Sequence, residues 1–158
     1  MAFPFVSEVI INQITDQLSD SEEHYTDLVE EMKVKQPILL SYLLSENFQL
    51  LTQAERDYLL YLALVVWQAT QTVQATTLSI DTPFIEKKEE VNWETLNSSN
   101  ARRFRERLDG FFNNTTQEDL LAFLEDALIE EEEDHFVTKE GKELLFVGLK
   151  TVVDCLCH

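Results

Sequence analysis

Apolar residues recur at three- and four-residue spacing along almost the whole chain, and runs of strict apolar/polar alternation are nearly absent. With three glycines and three prolines, the chain also lacks the punctuation that hairpins and parallel sheets require. The pattern predicts an all-α fold, with helices at about 3–18, 21–35, 37–47, 53–79, 83–96, 100–113, 116–134 and 139–156.

Several starts carry a local reason. Thr52 with Glu55, and Thr115 with Glu118, match the capping box, in which a hydroxyl and a carboxylate each satisfy the other's backbone amide. Pro37 and Pro83 suit a first helical position, where no amide hydrogen is needed. The fourth helix, about 53–79, is apolar on every side from Tyr58 to Trp67 and then narrows to Ala69, Val73 and Ile80 among glutamines and threonines. A helix of that kind is enclosed at one end and surfaces at the other, so it is expected at the centre of the bundle. A chain of 158 residues buries about two thirds of its unfolded surface as a single domain, and one domain spanning 1–158 is expected, with a minor hinge near 79–83.

Charge narrows the function classes. Thirty acidic residues face 12 basic ones, for a net charge of −18. Such a surface repels phosphate backbones and anionic lipid, so direct nucleic-acid binding and membrane attachment are not expected, whereas a basic protein partner is. The start, MAFPFVSEVIINQI, has no positive flank and no small-residue cleavage pattern, which predicts no secretory leader and a cytoplasmic location. The apolar run from Tyr58 to Trp67 is about half of what a spanning helix needs, and it reads as core.

Two charge features stand out. Arg102, Arg103, Arg105 and Arg107 fall within six positions, and Glu130, Glu131, Glu132, Glu133 and Asp134 run into His135. Carboxylates at the end of a helix oppose its dipole at a cost of about 0.3–1 kcal/mol each, so a compensating partner is expected. If 113–115 is a short turn between antiparallel helices, Arg102 and Arg103 stand opposite Glu125 and Asp126 as structural ion pairs, and the acid run lies beside the positive start of the sixth helix. Ala101, Phe104, Leu108 and Phe111 share one face of that helix, with Arg105 and Arg107 on opposite flanks.

Candidate chemistry is sparse. Glu132 and His135 have the i, i+3 spacing of a carboxylate–imidazole metal pair, and His24 with Asp20 at i, i+4 is the nearest second pair; these four are the metal-ligand candidates. Ser21 stands where a second such motif would need Glu, which favours two surface histidines instead. Cys155, Cys157 and His158 lack the distant second pair of a structural zinc site, and residues two apart on a helix point in opposite directions, so one thiol is expected in the core and the other toward water. No Gly-rich phosphate loop, nucleophile elbow or His-Glu-x-x-His is present, so no catalytic residue and no cofactor are assigned. Phe104, Phe111, Phe112, Phe123, Phe136 and Phe146 recur with aliphatics at helical spacing and read as core.

The reading is a non-enzymatic, acidic helical module that binds or regulates a basic protein. Two rivals stay open: a carboxylate/histidine metal-binding bundle, and an acidic inhibitor or immunity-type protein mimicking nucleic acid. The oligomeric state is unassigned.

Overall fold

The helical pattern is realised. The structure, a computed structural model, describes residues 3–75, 79–129 and 136–158, and among them every regular element is helical. In order these are α1 (Glu8–Asp20), α2 (Glu22–Lys35), α3 (Pro37–Leu43), a 3₁₀ turn (Glu46–Phe48), α4 (Gln53–Val73), α5 (Thr82–Asn97), α6 (Phe104–Arg107), α7 (Asp109–Asn113), α8 (Glu118–Ile129) and α9 (Lys139–Leu156). No helix among the described residues is long and apolar enough to cross a membrane.

The expected central helix is central. Leu59, Leu62, Ala63, Leu64, Val65, Val66 and Trp67 are all at most 1% exposed, so α4 is walled in on every side over two turns. Burying each large side chain is worth roughly 1.5–3 kcal/mol, which makes this stretch a major source of cohesion. A second axis runs beside it: α9 packs against α4, α5 and α8 and buries residues all around its circumference, including Phe146 and Leu149. Gly148 lets the two approach. A Cβ there would lie 2.7 Å from Cε1 of Phe48, whose ring is 1% exposed in the 3₁₀ turn that leads into α4.

The Thr52–Glu55 capping box forms, and the Glu55 side chain does more than close its own helix. It is buried; Oε1 accepts from the Thr52 amide at 2.9 Å, while Oε2 accepts from the Thr138 amide at 2.8 Å and from the Thr138 hydroxyl at 2.9 Å. Thr138 in turn caps α9 by accepting from the Gly141 amide. One carboxylate thus serves the amino ends of both central helices, where backbone amides concentrate positive charge. Burial acts to raise the Glu55 carboxyl, but the bonds from Thr52 and Thr138 outweigh it and hold the group below its ordinary range.

Other boundaries differ from expectation for local reasons. Residues 3–7 are not helical: Ser7 caps α1, and the preceding segment is held by Gln117, whose side chain accepts from the Val6 amide and donates to the Pro4 carbonyl, both at 3.0 Å. The Thr115–Glu118 box does not set the start of α8, because the Thr115 hydroxyl takes the Gln117 amide and the Gln117 carbonyl receives the first helical bond from Leu121. Ser21 is extended at φ −153° and caps α2, which separates α2 from α1. The helix expected over 100–113 is two short pieces. Residues 100–103 are not helical, and Leu108, at ψ −6°, divides α6 from α7. Within the candidate hinge, Ile80 is buried and its amide donates to the Gln36 side chain at 3.0 Å.

Candidate functional site

The break in the sixth helix changes which arginine meets α8. Counting back from the turn at helical pitch places Arg102 and Arg103 opposite Glu125 and Asp126, but both arginines are exposed on non-helical backbone, and the cation that reaches those acids is Arg105. Arg105 contacts Glu125 through Nη1 and lies 3.4 Å from Asp126 through Nη2. The opposite-flank expectation for Arg105 and Arg107 does hold: Arg107 turns to α9, with Nε 2.6 Å from Glu143 and Nη1 donating to the Ala101 carbonyl. The Glu125 carboxyl is raised by burial, with the Arg105 charge opposing that shift.

The metal-ligand candidates are not brought together where they are described. Asp20 ends α1 and is exposed, whereas His24 lies in α2 beyond the Ser21 break, so the two do not share one helical face. Glu132 and His135, with the rest of the Glu130–Asp134 run, lie outside the described residues. Among the described residues, no group of three histidine, cysteine, aspartate or glutamate side chains is placed to hold a metal ion.

The C-terminal thiols are quiet. With one thiol expected in the core and the other toward water, Cys155 is fully buried, and Cys157 is partly buried and packs against the core. Burial, with Asp154 close by, pushes each thiol up to about 12. Beside them runs a polar seam between α3, α5 and α9. The Tyr42 hydroxyl donates to Glu89; the Asn92 amide donates to the Thr151 hydroxyl at 3.1 Å and to Asp154 at 3.0 Å; and Lys150 pairs with Asp154. Burial first, and the bond to Glu89 second, raise the Tyr42 hydroxyl well above its ordinary range. Every group in the seam has a partner, which makes it a specifier of how α5 docks on α9 and not a reservoir of reactivity. A depression of about 620 Å³ opens in front of Tyr42, walled by Ile38 and Ile85 and rimmed by Glu46 and Glu86.

A second arrangement that could receive a ligand lies where α1, α4 and α8 meet. One depression of about 410 Å³ is lined by Tyr58, Tyr61, Leu62, Phe123, Asp126 and Ala127. A second, of about 360 Å³, shares Phe123 and Asp126 with it and adds Glu8, Ile11, Asn12, Asp119 and Ala122. On α8 the spacing Asp119, Ala122, Phe123, Asp126 is one helical face, so two carboxylates about 10 Å apart frame an aromatic ring. Tyr58 and Tyr61 lie one turn apart on α4 with ring planes 10° from parallel, and the Tyr58 hydroxyl donates to the Ala127 carbonyl at 2.9 Å. Burial raises the Tyr61 hydroxyl, while a hydrogen bond with Ser19 opposes the shift. Asp119 is fixed from α1, its Oδ2 accepting from the Glu8 amide at 2.9 Å.

The sequence placed Phe123 and Phe136 in the core. Phe104, Phe111 and Phe146 do meet there edge to face, and Phe123 packs against the core while also lining the groove, but Phe136 is 44% exposed, its ring against Tyr58 at 5.2 Å. The groove was not foreseen. Its only sequence signal is the seven-residue recurrence of aspartate around Phe123, and α1 and α4 supply the rest from far along the chain. No protein-family model, no curated protein and no solved structure matches this chain.

Proposed function

We propose that the protein is a non-enzymatic binding module whose groove between α1, α4 and α8 receives a basic segment of a partner protein. The observation that carries this reading is a pair of adjoining depressions that share Phe123 and Asp126, one lined also by Tyr61 and the other by Glu8 and Asp119. Carboxylates attract a cationic segment and steer its approach, while the ring faces supply apolar area and cation–π attraction once it has docked. The net charge of −18 extends that attraction over the whole surface. A binding role over catalysis is supported by Tyr42, Cys155 and Cys157, whose burial favours the protonated, unreactive form.

The test is a titration of the purified protein with a fluorescein-labelled cationic peptide and with a neutral peptide of equal length. Binding of the cationic peptide that weakens with added salt is expected; its absence at low ionic strength overturns the reading.

One observation favours the phosphate-mimicry rival: Glu86, Glu90 and Glu94 stand exposed at i, i+4 along α5, spaced about 6 Å apart. Like charges at that spacing destabilise a helix. Inhibition of a nuclease by the wild type but not by a variant carrying glutamine at all three positions would favour it over the groove.

A further inference from the structure

We propose that the side chain the groove selects is arginine and not lysine, an inference that rests on the reading just given and names the chemistry of its ligand. The folded chain already contains the interaction in miniature: Asp126, a groove carboxylate whose side chain is 72% exposed, lies 3.4 Å from the Arg105 guanidinium at the groove's edge. Only Oδ1 of Asp126 is engaged there, which leaves the carboxylate open to a second cation from solvent.

The walls supply the discrimination. A guanidinium is planar and weakly hydrated, so it stacks on ring faces while its N–H fork meets a carboxylate; an ammonium is compact and strongly hydrated and gains less from the same surface. Phe123 stands between Asp119 and Asp126 on α8 and lines both depressions, the one that Tyr61 of α4 lines and the one that Asp119 lines. A guanidinium laid on the Phe123 face therefore has a carboxylate within one helical turn on either side. Ala122 is exposed on the same face of α8 and lines the depression that holds Asp119.

Two labelled peptides test this, one alternating arginine with glycine and one alternating lysine with glycine, titrated into the full chain by fluorescence anisotropy. The arginine peptide is expected to bind about tenfold more tightly, a preference set by stacking and not by charge. Ala122→Leu fills the depression from an exposed position without adding a ring face and should abolish the preference while the melting temperature stays near that of the wild type; Phe123→Leu, which keeps an apolar wall without a ring face, should also abolish the preference. Equal binding of the two peptides overturns the arginine assignment but leaves the basic-partner reading intact, whereas failure of both overturns both. An arginine preference that survives in Ala122→Leu and Phe123→Leu removes the groove as its source.

Discussion

The backbone of Gly141 comes so close to Glu55 that a Cβ on residue 141 would stand 2.1 Å from Oε2 of that carboxylate. Glycine is therefore required by space and not by backbone conformation, since no described residue has a positive φ. The carboxylate cannot retreat, because it accepts from Thr52 and Thr138 at the same time.

Gly141→Ala is accordingly expected to lower stability by about 1–3 kcal/mol, the usual cost of forcing a methyl into filled space. Glu55→Ala should cost at least as much, by leaving the Thr52 and Thr138 amides without their acceptor. The double variant should lose less than the sum, because with the carboxylate gone the added methyl meets nothing there. Strictly additive losses in urea unfolding would show that the two residues are not in the described contact.

Glu55 also sets a pH dependence. Its carboxyl is lower in the folded chain than in the unfolded one, so its contribution is fully present above the unfolded value of 4.5 and is lost as pH falls through the folded value. The wild type should therefore lose stability more steeply than Glu55→Gln below about pH 4.5, with the two curves running parallel at neutral pH. Thermal melts from neutral pH down into the acid range check this.

The arginines should be unequal. Arg105→Ala leaves the half-buried Glu125 carboxylate without its cation and should lower the melting temperature, whereas Arg102→Ala and Arg103→Ala remove exposed charges and should change stability by less than about 0.5 kcal/mol. Charge reversal at Arg105 should be partly restored by reversing Glu125 and Asp126 to lysine.

The thiols should be slow. With both pushed up to about 12, almost no thiolate is present at neutral pH, and Cys155 is enclosed as well. Labelling by an aromatic disulfide reagent should be slow in the native protein and complete in denaturant; fast native labelling of Cys155 would contradict its burial.

How far the sequence could be read follows from how local each cause is. The starts of α3, α4 and α9 depend on Pro37, Thr52 and Thr138, which act within a few residues of themselves, and a helical start at or next to the expected residue is found in each case. The extended segment 3–7 depends on Gln117, a residue 111 positions from Val6, and no pattern near the N-terminus announces it. The same distance problem hid the groove: Glu8, Tyr61 and Phe123 are unremarkable in their own helices and gain meaning only when α1, α4 and α8 converge. For Arg105 the error was smaller but decisive, because one non-helical stretch at 100–103 shifts which cation faces α8.

The tie between Val6 and Gln117, reinforced by the Glu8 amide on Asp119, also constrains the order in which the protein can be completed. During synthesis the first helix leaves the ribosome long before the residues that hold its start exist. Until α8 has emerged, α1 can pack on α4 and Ser7 can cap it, but the Val6 and Glu8 amides have only water. The contact joins residues 111 positions apart, and pairing across such separations slows folding. A stalled or truncated chain ending before Gln117 would carry the rings of Tyr58 and Tyr61 without the α8 residues Phe123 and Asp126 that line the same depression.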